Sequence, residues 1–371
     1  MIFYYRYGAV LNDAIHLQSL PAARDKRCQP SGFIGLAVSS VVGQLWGEGG
    51  QAVDHVDLAG IQMQNSTHSP PLALHLTFGT ISDINYVYGV ISLVGFLMII
   101  LSNFTVVSTV YLNQSLHQPM YVFISALCTN GLYGSTSLFP SLIVNLFYKT
   151  QIISYAACIM QIFCIYSYVS CEMSILTAMA YDRYVCICNP LRYATIMTLT
   201  KAFKVIIGVL LYSFIIILVH IILTMRLPLC DNVILKIYCD NWSLVRLSCI
   251  DTTLNNVYGL YITVTILGVM PLLVALSYVQ ILKVCTKSKN NQSKAMQACS
   301  LQLISLAIFV IDCLFEVLLY RLGPTQVPYG LRVAMSIQSL VVPPFVNPLL
   351  YGIKMKAIKV KILQFFTLKK T

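Results

Sequence analysis

Charge is scarce in this chain. Only 10% of its 371 residues are Asp, Glu, Lys or Arg, against about 25% in an average soluble domain. A soluble fold of this length cannot cover its surface with so few charges, so a conventional two-domain soluble enzyme is excluded. Disorder is excluded as well, because 57% of the residues are hydrophobic and the mean hydropathy is +0.76. Acidic residues are the scarcer sign, 13 against 24 basic, a net +11. The bases lie thinly between apolar runs, a pattern that fits membrane topology better than nucleic-acid binding. The 13 cysteines form no CxxC pair, so a zinc site is not expected, and they are too scattered for a small disulfide scaffold. Strand-like alternation is lacking, which excludes a transmembrane barrel. So is an internal repeat of the kind that marks many transporters.

What the sequence does have is long apolar runs. A helix needs about 20 such residues to cross a bilayer. Seven stretches qualify: 86–111, 120–147, 155–181, 202–225, 256–282, 295–320 and 333–353. Helices then satisfy the backbone inside lipid. Orientation follows from the basic residues. The tail and the loops on its side carry 14, the opposite loops 6 and the first 62 residues 4. Positive residues favour the cytoplasm, so the C-terminus is expected inside and the N-terminus outside.

Residues 1–62 are expected to be an extension, disordered or absent from the mature protein. Their apolar run from Gly32 to Trp46 follows Arg24, Lys26 and Arg27 and is short for a span; a signal-like or interfacial segment is the alternative. The main domain is expected over 63–366, with 367–371 as tail. Asn65 begins a glycosylation sequon on the outer side, and Asn241 begins another in an outer loop.

Three motifs carry the functional reading. Met179-Ala180-Tyr181-Asp182-Arg183-Tyr184 ends the third span and runs on through Cys188-Asn189-Pro190-Leu191-Arg192-Tyr193. Asn347-Pro348-Leu349-Leu350-Tyr351 lies near the end of the seventh, and Pro119-Met120-Tyr121 opens the second. With seven helices, these resemble the rhodopsin-like (class A) G-protein-coupled receptors, and more narrowly the odorant receptor family. Ser277-Tyr278 and Lys294-Ala295 with Cys299 agree, and the stretch Leu127 to Gly134 looks closest to the fish-type branch. The resemblance covers residues 63–366. It implies an all-α membrane protein, a seven-transmembrane helix bundle with a short amphipathic eighth helix. It implies a multi-pass protein of the plasma membrane that binds a small-molecule odorant from outside, activates a stimulatory heterotrimeric G protein and raises cyclic AMP. A receptor for an amine or peptide, or a small-solute transporter, are the alternatives. No nucleophile, base and metal converge in the sequence, so neither an enzyme nor a cofactor is expected.

The residues supply the chemistry. Arg183 is a permanent cation at a helix end, and Asp182 can hold it at rest until a two-state bundle releases it to a partner. In the family this Arg meets the G protein or neighbouring tyrosines; Tyr184, Tyr278 and Tyr351 are the switch candidates here. Pro348 interrupts the seventh helix, with Asn347 placed to satisfy the freed backbone. Glu172, an acid in mid-span, is a functional candidate by default. The family often places a second acid opposite it, where a sodium ion sits. This chain has Gly131 there, with Asn130 adjacent, so the choice lies between a one-carboxylate ion site and a protonated, hydrogen-bonded Glu172.

Asp312 and Glu316 stand one turn apart. They read either as a recognition point for a cationic ligand or as a polar patch that pairs with Arg321 or Arg332. By position in the fold, the odorant cavity is expected to take Ile165, Tyr166, Val169 and Ser170, then Ile262, Thr263 and Ile266, then Asp312, Cys313, Glu316 and Ile337. Four cysteines on the outer side allow three pairings; the family resemblance implies Cys158–Cys239, which leaves Cys230–Cys249. The sixth span has Gln302 where the family has a histidine. Beyond the seventh span, Ile358, Ile362, Phe365 and Phe366 against Lys354, Lys356, Lys359 and Lys361 spell an amphipathic basic helix that favours membrane lipid. No nucleic-acid partner is expected.

Overall fold

The computed structural model describes residues 73–77, 84–148, 151–287, 292–322 and 329–367, with side chains at 73–77, 85–148, 151–285, 300–317 and 337–364. The expected extension 1–62, Asn65 and the tail beyond 367 lie outside them. Among the described residues, seven long helices run in order: α1 (Ile84–Leu112), α2 (Pro119–Tyr148), α3 (Tyr155–Cys188), α4 (Leu199–Met225), α5 (Thr253–Val264, then a π turn Thr265–Val269, then Met270–Lys287), α6 (Gln292–Leu322) and α7 (Tyr329–Lys354). A twelve-residue α8 (Lys356–Thr367) follows.

Each end has a local cause. The Ser154 hydroxyl caps α3 by accepting from the Ala157 amide at 3.3 Å. The helix stops at Asn189 because Pro190 opens a separate short helix, Pro190–Ile196. The Thr198 hydroxyl caps α4 in the same way. The π turn in α5 stands ahead of Pro271. A proline clashes with the carbonyl four residues back, and the widened turn, in which the Met270 amide reaches Thr265 O, makes room for it.

The bundle is apolar outside, and its polar side chains turn inward among an apolar core. Along α4, Phe203, Ile207, Leu211, Ile215, Leu218 and Ile222 are all exposed, while Ser213, His220 and Thr224 are buried. Water would penalise such a face, whereas lipid matches it. Helices α1, α3, α4, α5 and α6 are each long and apolar enough to cross a membrane. Helix α2 is as long but richer in Ser, Thr, Asn and Pro, and α7 carries three prolines; the two sit among α1, α3 and α6.

The disulfide-bearing end has a small sheet the apolar pattern did not foretell. Strand β1 (Ala73–Leu76) pairs antiparallel with β2 (Ile152–Ser154) and parallel with β3 (Val233–Ile234). Cys158, at the start of α3, is bonded to Cys239, and Cys230 to Cys249. The first bond ties the 226–252 loop across the helix ends; the second closes that loop on itself, where Cys230 N donates to Leu247 O. Asn241 is buried and its side-chain oxygen accepts from Thr224 at 2.7 Å, so this sequon cannot carry a glycan in the folded protein. At the opposite end, Ile358 of α8 is fully buried. It packs into protein rather than facing lipid, while Lys356 and Lys359 are exposed.

Candidate ligand-binding site

Beneath the disulfide loop the bundle forms a half-open cavity of ≈ 180 Å³. Helix α3 supplies Ile165, Tyr166 and Val169, α4 supplies His220, and α5 supplies Asn255, Asn256, Gly259, Ile262, Thr263, Ile266 and Leu267. Helix α6 adds Cys313, Glu316 and Val317, and α7 adds Ser339 and Leu340. The loop closes the space with Lys236, Tyr238, Asp240, Asn241, Trp242 and Val245. A cavity of about 150 Å³ lined by apolar groups takes one benzene, so this space fits a molecule of comparable size.

Eight of the eleven expected cavity residues stand on its wall. Ser170, Asp312 and Ile337 do not. Ser170 is fully buried and donates to the Ser213 hydroxyl of α4 at 3.0 Å. Asp312 is bonded to Gln338 of α7. Ile337 is half-buried off the wall, and α7 meets the cavity through Ser339 and Leu340 instead.

Asp312 and Glu316 therefore do not act as a pair. Lys236 Nζ lies 2.6 Å from Glu316 Oε1 and 3.4 Å from Asp240 Oδ1. Tyr238 donates to the same Glu316 oxygen at 3.0 Å. The partner of Glu316 is thus a loop lysine rather than the expected Arg321 or Arg332, whose side chains lie outside the described residues. Periodicity cannot place a loop residue, so Lys236 and Asp240 escaped sequence reading; His220 on α4 and the Asn255–Asn256 pair on α5 escaped it because single polar residues in or beside an apolar run do not show which way they face. Several polar atoms on this wall stay unpartnered: His220 Nδ1, Asn255 Oδ1, Asn256 Oδ1 and Glu316 Oε2.

Deeper in the bundle a second polar cluster joins three helices. Glu172 is 1% exposed. Its Oε2 accepts from Asn130 Nδ2 of α2 at 2.7 Å and its Oε1 from Asn347 Nδ2 of α7 at 2.8 Å. The residue facing the acid is thus Asn130. Gly131 stands against Pro344 instead, where an added Cβ would meet that ring's Cβ at 3.3 Å. With an amide donor on each carboxylate oxygen, a sodium ion here would have to displace or turn an asparagine. Ser305 of α6 donates to Asn347 Oδ1, which occupies the side chain expected to serve the backbone freed by Pro348. That task falls to Asn103 of α1: a proline at 348 leaves Pro344 O without its helical donor, and Asn103 Nδ2 supplies one at 2.7 Å. Pro343 likewise frees Ser339 O, which accepts from the Tyr168 hydroxyl at 3.3 Å. The Tyr168 ring fits because residue 134 is glycine; a Cβ there would lie 2.4 Å from it.

At the far end of α3, about 36 Å from Cys158 at 1.5 Å per residue, Asp182 accepts from the Tyr193 hydroxyl at 2.9 Å. Tyr193, in the short helix after α3, thus joins Arg183 as a partner of this carboxylate. Burial first, then the Asp182 charge, push the Tyr193 hydroxyl pKa up, which keeps it a donor. Arg183 and Tyr184 are half-buried at this end. Gln302, standing at the histidine position, donates to Leu176 O of α3 at 2.7 Å and accepts from Tyr278 of α5 at 2.8 Å. It clasps α6 to both neighbours.

Comparison with known proteins gives one consistent set of likenesses. A family profile described as "Olfactory receptor" matches residues 75–369. Human olfactory receptor 52D1 is 34% identical over 279 residues, 74% of this chain and 88% of that receptor. Human olfactory receptor 51L1 is 32% identical over 309 residues, 82% of this chain and 98% of its own. Among solved structures, squid rhodopsin superposes with a TM-score of 0.62 at 16% identity, over 79% of this chain and 89% of that one, a likeness of fold.

Proposed function

This chain belongs to the olfactory receptor family, and on that premise we propose that it is a plasma-membrane receptor that binds a small odorant in the cavity under the disulfide loop and activates a heterotrimeric G protein at the Arg183 end. The observation that carries this reading is the path between the two. Helix α3 lines the cavity with Ile165, Tyr166 and Val169, holds the Glu172 cluster in its middle and ends on Arg183. A ligand shifts such a bundle only through unequal affinity for its two states. Helices α5 and α6 each touch the cavity and are joined to α3 by Gln302, so they are the elements whose position a ligand can bias. The basic residues place the C-terminus and α8 in the cytoplasm and the disulfide loop outside, where oxidising conditions sustain both bonds. Exposed Lys356 and Lys359 then face anionic headgroups. The G protein is read as the stimulatory olfactory type. The family assignment removes the ground for a transporter.

The test is cyclic AMP in cells that carry the olfactory G protein, with a panel of amines, carboxylic acids and neutral odorants. A response to one of them, absent in Arg183→Ala at equal surface level, is the expected result. A response that survives Arg183→Ala would contradict the coupling role, and surface protein with neither basal nor evoked signal would contradict the receptor reading.

A further inference from the structure

We propose that the cavity under the disulfide loop selects a small amine, held by carbonyl and carboxylate oxygens on its wall that no protein group satisfies. This rests on the reading of that cavity as the ligand site. Three donors on the wall are already given away. Lys236 and Tyr238 go to Glu316, and Thr263 donates to Gly259 O at 2.8 Å. Acceptors remain: Asn255 Oδ1, Asn256 Oδ1 and Glu316 Oε2 are buried and unpartnered.

The direction of the Asn255 amide follows from its neighbours. Thr224 lends its hydroxyl hydrogen to Asn241 Oδ1 at 2.7 Å, so its oxygen is left to accept, and Asn255 Nδ2 meets it at 3.4 Å. The Asn255 oxygen must then face away. Asn256 Nδ2 meets the Thr252 hydroxyl oxygen at 3.4 Å, and its own oxygen is without a partner. A buried acceptor without a donor costs free energy that an incoming N–H recovers. Charge points the same way: one ammonium, Lys236, serves two carboxylates, Glu316 and Asp240. A carboxylate ligand would add a third negative group and could pair only by displacing one of those two. A ligand ammonium supplies three donors and the missing charge, with the Tyr166 ring beside it as a further favourable surface. At ≈ 180 Å³ the space admits a short alkyl chain behind the nitrogen.

Binding is read apart from signalling, as the thermal-unfolding midpoint of the full chain in nanodiscs. The probes are n-pentylamine, 1-pentanol, 2-pentanone and pentanoate. Pentylamine is expected to raise the midpoint most and pentanol less, with pentanone and pentanoate inert. Asn255→Leu and Glu316→Gln are each expected to weaken pentylamine about tenfold or more, as loss of a hydrogen bond to a charged group does. Lys236→Met covers the case in which those variants fail to fold. It leaves two carboxylates for the amine, so pentylamine should bind more tightly than to the native protein. The proposal is overturned if pentanoate binds as well as pentylamine, if pentylamine does not bind, or if Lys236→Met abolishes its effect. Basal G-protein recruitment with and without Arg183→Ala tests the receptor reading independently, so the two can fail separately.

Discussion

Two polar regions of the bundle share the chemistry of amides and carboxylates, and they differ in what is left over. Around Glu172 both carboxylate oxygens hold an asparagine N–H, and the carbonyls freed by Pro343 and Pro348 are met by Tyr168 and Asn103. Beneath the disulfide loop, acceptors outnumber the donors offered to them. Buried polar groups in a finished structure find partners. The better satisfied cluster therefore reads as the joint that holds α1, α2, α3, α6 and α7 together, and the other as a surface waiting for a ligand. Burial does not separate them, because Glu172 and Asn255 are both nearly inaccessible; the balance of hydrogen bonding does, with Asn103 Oδ1 left over in the deep cluster against Asn255 Oδ1, Asn256 Oδ1 and Glu316 Oε2 at the cavity.

The comparison can be broken most severely where the covalent frame holds the cavity. Cys158→Ser removes the bond that fastens the loop to α3, and loss of such a bond costs about 2–5 kcal/mol. Surface expression should collapse and no probe should bind; cell-surface labelling with ligand binding checks this. Next comes the satisfied cluster. Glu172→Ala strands the Asn130 and Asn347 amides at about 1–3 kcal/mol each, and Glu172→Gln should recover part of the loss because one oxygen remains to accept. Thermal unfolding in detergent reads both. Gly134→Ala sets a Cβ against the buried Tyr168 ring, and overpacking of this kind costs about 1–3 kcal/mol in the same assay. Asn103→Leu strands Pro344 O, again at about 1–3 kcal/mol. The smallest effect on stability should come from Asn255→Leu, which gives up one long bond to Thr224 at 3.4 Å and whose oxygen has no partner to lose. Its midpoint without ligand should stay near the native value while the pentylamine shift disappears. A large loss of stability there would erase the distinction between the regions.

Much of this architecture was legible in the sequence. Each span stood out because a bilayer demands about 20 apolar residues, and α1 to α7 begin and end within a few residues of those runs. The longest discrepancy, α3 running on to Cys188, arises because Pro190, rather than the first charge, stops a helix. The polar partners were less legible. Asp312 and Glu316 share a helical face by spacing, yet one turns to Gln338 and the other to Lys236, since each follows the neighbouring element it meets. Asn103 lies inside the first apolar run with no role assigned from sequence, and its value to the backbone appears only when α1 and α7 are seen together. The three-stranded sheet was invisible because its strands are two to four residues long and pair across distant parts of the chain. The fish-type branch rests on Leu127 to Gly134 alone.

The most direct measurement runs two readouts on two variants: probe binding in nanodiscs and G-protein recruitment in cells, for Asn255→Leu and Arg183→Ala. Expected is a crossed result, in which Asn255→Leu keeps basal recruitment and loses binding, while Arg183→Ala keeps binding and loses recruitment. If both variants lose both readouts, or if binding survives Asn255→Leu, then the open cavity and the Arg183 end are not the separate ligand and coupling sites assigned to them.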